Sequence, residues 1–196
     1  MSFILDRCSL YDVVEREDIA GFVCGDKDLD EFFSNDSFDY SRQLLGKTYC
    51  YKLDEDTRKI VCAFTLANAG IRVSDLPNAR KKKVEANIPH VKSLKDYPAL
   101  LIGRLGVSKD FQSMHIGSEV LDFIKAWFVE PNNKTGCRFI IVDAYNNETT
   151  LSFYERNGFK TVFSSVKQEQ EYRLLPLDKH LGTRLMYFDL LTYNDN

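Results

Sequence analysis

The sequence predicts a mixed α/β protein: a central, mostly antiparallel twisted sheet with helices on both faces and a parallel strand–helix–strand unit. Three observations lead there. Strand-like runs joined by polar turns fill much of the first third of the chain. A strand, a turn, an amphipathic helix and a second buried strand then follow one another between Leu100 and Ala144, and a last strand-like run, Arg184-Leu185-Met186-Tyr187-Phe188-Asp189-Leu190, comes near the end. Antiparallel strands followed by a strand–helix–strand crossover suit a sheet covered on both sides.

Residues 9–14 read as a first strand. Asp28 is placed to cap a helix that turns Leu29, Phe32, Phe33 and later Leu44 and Leu45 to the core, and Gly46 ends it. Residues 48–53 and 60–67 are strands flanking Asp54-Glu55-Asp56-Thr57-Arg58-Lys59, a polar loop of hairpin type. An insert over about 70–97 follows, with Leu76-Pro77 and Ile88-Pro89 framing the basic run Arg80-Lys81-Lys82-Lys83; runs of like charge usually form solvated surface.

Residues 100–107 form an apolar run of strand length, leading through Ser108-Lys109-Asp110-Phe111 into Gln112-Ser113-Met114-His115-Ile116-Gly117. From Gly117 the apolar positions Val120, Leu121, Ile124, Trp127 and Phe128 recur at the spacing of one helix face, so the turn sets several free backbone N–H groups at a helix N-terminus. Such donors, with the helix dipole, favour an anion such as a phosphate. Residues 131–136 break the helix and 137–144 read as a buried strand. Asn146 or Asn147 can then cap a short helix carrying Leu151, Phe153, Tyr154 and Asn157, which ends at Gly158. Thr161-Val162-Phe163 starts another strand, and a polar loop separates it from the last.

Composition bounds the function. A chain of 196 residues, 44% hydrophobic and 28% charged, suits one domain over residues 1–196. The five cysteines, Cys8, Cys24, Cys50, Cys62 and Cys137, form an odd set without a close metal-type pair and read as reduced core thiols. His90, His115 and His180 are too far apart in sequence for a zinc cluster, so no metal is expected. The first residues lack a basic start followed by a long apolar segment, and no run of about 18 apolar residues occurs, so a cytoplasmic protein with no membrane partner is expected. A formal charge of −3 exerts no overall pull toward nucleic acid.

Two joints carry a resemblance. The turn Gln112-Ser113-Met114-His115-Ile116-Gly117 resembles the acyl-CoA-binding motif of the GCN5-related N-acetyltransferase (GNAT) superfamily, Gln/Arg-x-x-Gly-x-Gly/Ala, with His115 standing where the motif has its middle glycine. Phe153-Tyr154-Glu155-Arg156-Asn157-Gly158-Phe159 resembles that family's Phe-Tyr-x-x-x-Gly-Phe signature, in the right order and about forty residues on. Phe22-Val23-Cys24-Gly25-Asp26-Lys27-Asp28-Leu29-Asp30-Glu31-Phe32-Phe33 is similar to the opening of a subgroup that includes toxins of toxin–antitoxin pairs, which acetylate aminoacyl-tRNA.

The resemblance implies a GNAT-type fold and acetyl-CoA as cosubstrate. It implies pantetheine and thioester contacts from Leu105, Gly106 and Val107, where two strands diverge. It implies pyrophosphate contacts from Gln112, Ser113, Met114, His115, Ile116, Gly117 and Ser118, with Asn147 as a further pantetheine contact. An amine would attack the thioester directly in a ternary complex, and Tyr154 would give a proton to the leaving sulfur. No carboxylate lies on the strand before Val107 to serve as a base, and Asp143 is the alternative. Three readings stand: an N-acetyltransferase with an unidentified amine acceptor; the same chemistry on aminoacyl-tRNA held by an antitoxin; and a non-catalytic acyl-CoA-binding or interaction protein. A homodimer is compatible with each.

Overall fold

The computed structural model describes residues 2–88 and 94–195. Its strands are β1 (Cys8–Asp12), β2 (Lys47–Leu53), β3 (Ile60–Arg72), β4 (Asp96–Val107), β5 (Phe139–Tyr145), β6 (Lys160–Thr161) and β7 (Thr183–Asp189), in the sheet order β1-β2-β3-β4-β5-β7-β6. Pairs β1–β2, β2–β3, β5–β7 and β6–β7 are antiparallel, and β4–β5 is parallel. The helices are α1 (Phe3–Arg7), α2 (Lys27–Glu31), α3 (Ser37–Arg42), α4 (Asn78–Val84), α5 (Ile116–Val129), α6 (Glu148–Arg156) and α7 (Val166–Tyr172). The mixed α/β architecture expected from the sequence is the one observed.

The chain divides into two compact units, Met1–Asn68 with Ile102–Trp127 and Ala69–Leu101 with Phe128–Asn196. The first buries a core of Val13, Ile19, Phe22, Cys24, Phe32, Phe33, Cys50, Ile60 and Ala63. On helix α5 the buried side chains Ile116, Val120, Leu121 and Ile124 follow the predicted stripe. The rings of Phe123 and Trp127 meet Tyr51 and Tyr49 edge-on, with centroids 5.5 and 5.2 Å apart. The second unit has its own core of Ile71, Val73, Leu76, Val84, Tyr97, Ala99, Phe139, Ile141, Val162, Phe163 and Tyr187.

Several boundaries differ from the sequence reading. Asp26, not Asp28, caps α2, its carboxylate accepting from the Leu29 amide at 3.0 Å. That helix passes through a π turn, Phe32–Asp36, into α3, which stops at Arg42. Leu44 and Leu45 are therefore not core residues: Leu44 is 90% exposed with φ +58°. The 70–97 insert contains the end of β3, helix α4 and the start of β4, while Pro89 and His90 lie outside the described residues. The strand expected over 161–163 is only Lys160–Thr161, with Val162 and Phe163 buried beyond it. The polar stretch after it contains α7, capped by Ser165. Its signal was masked because the buried face of α7 is polar: Glu169 and Gln170.

Candidate functional site

The turn before α5 lies wholly within the first unit. β4 runs out through Gly106 and Val107, and the Ser108 amide donates to the Val61 carbonyl at 2.9 Å. A short 3₁₀ turn, Lys109–Phe111, then delivers Gln112. Ser113 and His115 both adopt left-handed backbone, at φ +65° and +60°. This explains why a glycine would suit position 115, since L-residues are disfavoured there. The His115 carbonyl accepts from the amides of Ser118 and Glu119 at 3.0 and 3.2 Å and so starts α5. Among the described residues, no acceptor takes the amides of Ser113, Met114, His115, Ile116 or Gly117. Successive unspent N–H groups in alternating backbone conformations at a helix N-terminus form a concave anion cradle.

Of the predicted pyrophosphate residues, Gln112 stands apart. Its carboxamide Nε2 donates to the Cys24 carbonyl at 2.7 Å and to the Val107 carbonyl at 3.3 Å, so its side chain is spent on backbone. Glu119 is the acidic group in the first turn of α5, where it would oppose an anion. Its carboxylate is instead occupied by the start of the chain, accepting from the Ser2 hydroxyl and the amides of Phe3 and Ile4 at 2.9, 3.0 and 2.9 Å.

The second unit holds Tyr154 and Asn147. Tyr154 faces inward from α6, its ring 5.1 Å from that of Phe153 and 5.3 Å from that of Phe159. Burial pushes its phenol up to about 12. Among the described residues its hydroxyl has no hydrogen-bond partner. Gly158, at φ +82°, ends the helix against Phe188. Asn147 is the cap of α6, its Oδ1 accepting from the Thr150 amide at 2.8 Å. Asn146 is tied to the other side, donating from Nδ2 to the Leu181 carbonyl at 2.8 Å.

Asp143, the alternative base, is paired with Arg173. Arg173 also bonds Glu169, which is fully buried and accepts from Arg184 Nε and the Leu185 amide, each at 2.7 Å. This network was not anticipated; only the Glu-x-x-x-Arg spacing of Glu169 and Arg173 hints at it. In the parallel pair, Ala99, Leu100 and Leu101 oppose Phe139, Ile140 and Ile141. A separate cleft of about 260 Å³, lined in part by Val13, Phe38, Arg42 and Tyr49, contains none of the predicted site residues. Among the described residues no group of three or more His, Cys, Asp or Glu could hold a metal ion, and no helix is long and apolar enough to cross a membrane.

Residues 77–161 match the family model for the acetyltransferase (GNAT) domain. Similar solved structures include a tyrosine-to-phenylalanine mutant of KacT, at TM-score 0.69 and 17% identity over 96% of this chain and 98% of that one. AtaTR bound with AcCoA is similar at TM-score 0.70 and 16% identity, over 96% and 97% of the two chains. AtaT complexed with acetyl-methionyl-tRNAfMet is similar at TM-score 0.65 and 17% identity, over 95% and 97%. At these identities the likeness to those structures is one of fold.

Proposed function

We propose that this chain, acting as one acetyltransferase domain, moves an acetyl group from acetyl-CoA to a primary amine by direct attack. The observation that carries the reading is the cradle of unspent amides at 113–117, a site for the pyrophosphate of CoA at the start of α5. The residues present fit such a group: the donors are neutral backbone N–H, and the carboxylate in the first turn of α5, Glu119, is already engaged by other donors. Amides near Leu105, Gly106 and Val107 are proposed to receive the pantetheine and the thioester oxygen, with Ser118 at the pyrophosphate and Asn147 beside the pantetheine arm.

The acceptor nitrogen attacks the thioester carbon, the oxyanion is stabilised by backbone donors, and the C–S bond breaks. The sulfur takes a proton from the Tyr154 hydroxyl, the new amide loses the proton the amine brought, and the tyrosinate is reprotonated from solvent. A buried phenol with no competing partner among the described residues is held neutral, the form a proton donor needs. With Asp143 paired to Arg173, the acceptor must lose its proton with little help. An α-amino group, with pKa about 7.7–8.0, does so far more readily than a lysine amine at about 10.4.

That argument favours the second reading within the same chemistry, acetylation of aminoacyl-tRNA under control of an antitoxin. Fold neighbours include AtaT with acetyl-methionyl-tRNAfMet, an AtaT mutant with the C-terminus of the antitoxin AtaR, and a KacTA–DNA complex. Helix α4 also presents Lys82 and Lys83 to solvent, whereas the net charge of −3 weighs against an RNA partner. Calorimetric titration with acetyl-CoA and with CoA, followed by thiol release with polyamines, peptides and charged tRNA, tests both readings. Saturable binding near one equivalent supports the acetyltransferase; no binding removes it and leaves a partner-binding protein. Normal growth on expression would sink the toxin reading.

A further inference from the structure

The segment 22–25 lies against the end of β4 through two hydrogen bonds and one close packing contact, and Asp30 holds it from the other side. Gln112 Nε2 donates to the Cys24 carbonyl at 2.7 Å and to the Val107 carbonyl at 3.3 Å, which spends both of its hydrogens. The Lys109 amide donates to the Val23 carbonyl at 3.1 Å. Gly106 leaves room for the approach: a Cβ there would stand 3.3 Å from Cys24 Cβ and Sγ and from the Phe22 ring. Asp30 holds the segment from its other side, accepting from the Cys24 amide at 2.7 Å and from the Gly25 amide at 3.1 Å. Although burial works against it, these donors and Lys109 hold the Asp30 carboxyl below its ordinary value.

We propose that Gln112 is a positioning residue for the turn it opens: by tying 22–25 to the end of β4, with Asp30 as the other half of the tie, it sets the path on which 113–117 present their amides. The inference rests on the acetyl-CoA reading of that turn and deepens it. It assigns the Cys24-Gly25 opening a role in cosubstrate binding rather than acceptor choice. It also removes the Gln112 side chain from the direct pyrophosphate ligands, because a carboxamide bonded to two carbonyl oxygens has no N–H left for a phosphate. Only a side chain that donates can hold the position; a carboxylate would face two carbonyl oxygens.

The test compares wild type with Gln112→Met, Gln112→Lys, Asp30→Ala and the double variant Gln112→Met/Asp30→Ala. Loss of the tie is expected to raise KM for acetyl-CoA about tenfold in each methionine or alanine variant, with kcat held within about twofold. The double variant is expected to be no worse than the worse single one, since both break one fastening. Gln112→Lys, which keeps a donor, is expected to recover most of the loss. An unchanged KM in Gln112→Met, or effects that multiply in the double variant, overturns the proposal.

Amide hydrogen exchange separates this outcome from failure of the function itself. Gln112→Met should speed exchange at Cys24 and Gly25, and Asp30→Ala should speed it at Lys109 and Ser118, whether or not acetyl-CoA binds. If wild type fails to bind acetyl-CoA, the cosubstrate reading falls while the tie still stands or falls on exchange. Exchange confined to the mutated end overturns the tie.

Discussion

His115→Gly should make the protein more stable, and the size of the gain follows from the backbone. His115 sits at φ +60°, where an L-residue costs roughly 1–2 kcal/mol and glycine costs nothing. Glycine gives back part of this by enlarging the unfolded ensemble, about 0.4–1 kcal/mol. The expected net gain is about 0.5–1 kcal/mol, or about 1–4 °C in Tm for a chain of this size. The His115 side chain is exposed, so little packing is lost with it. Thermal and urea unfolding of wild type, His115→Gly and His115→Ala provide the assay. Alanine deletes the imidazole but keeps the Cβ, so it should gain nothing. Equal stabilisation by alanine and glycine would place the cost in the imidazole and refute the backbone argument. No gain from glycine would mean that residue 115 is not left-handed.

Tyr154→Phe is expected to lower kcat by roughly 10²–10⁴-fold while leaving acetyl-CoA affinity and Tm unchanged, because the deleted hydroxyl has no hydrogen-bond partner among the described residues; stopped-flow thiol release and calorimetry separate the effects. With that phenol pushed up to about 12 by burial, the pH–rate profile should rise with acceptor deprotonation and show no falling limb up to about pH 10, and a limb centred near pH 8 would rule the tyrosine out as donor. Glu169→Gln should cost about 3–5 kcal/mol in urea unfolding, since it leaves the Arg184 and Arg173 guanidinium groups without their buried carboxylate, and a loss under 1 kcal/mol would show the network to be dispensable. Burial raises the Glu119 carboxyl, but its donors Ile4, Phe3 and Ser2 bring it net below the ordinary value of 4.5. Its contribution is therefore complete above that value and lost as pH falls through the folded one, so Glu119→Gln should flatten the acid limb of stability against pH.

How much of this was legible in the sequence depends on what kind of signal each element carries. α5 announces itself because an apolar stripe at helical spacing has one interpretation, and its buried face is the one expected. α7 does not, because what it buries is Glu169, a residue that pattern reading assigns to solvent; its partner Arg184 is 15 positions away and on a strand. Leu44 and Leu45 mislead in the opposite sense, being apolar at helical spacing from Phe33 but lying beyond the helix end at Arg42. The helix start after residue 115 and the short helix that carries Tyr154 and ends before Gly158 were legible as local structure because short-range motifs carry them. The two uses of the Gln112 carboxamide were not, since one acceptor, the Cys24 carbonyl, is 88 residues distant and presents the same chemistry in every residue type.

The strained turn and its fastenings belong to one argument. Two left-handed non-glycine residues within three positions, Ser113 and His115, place a conformational cost in a segment of six residues that buries little itself. Such strain persists only where the surroundings over-determine the backbone. Here they do: the Ser108 amide is held by Val61, the Lys109 amide by Val23, the Gln112 side chain by Cys24 and Val107, and the His115 carbonyl by the amides of Ser118 and Glu119. None of these bonds consumes the amides of 113–117. A turn evolved for stability alone would relax the strain with a glycine and spend its donors internally. A turn that receives a diphosphate, as proposed, would hold them out at a fixed spacing and let the neighbouring segments carry the cost; on that proposal the segment 22–25 and the turn 113–117 are expected to respond to mutation as a single unit.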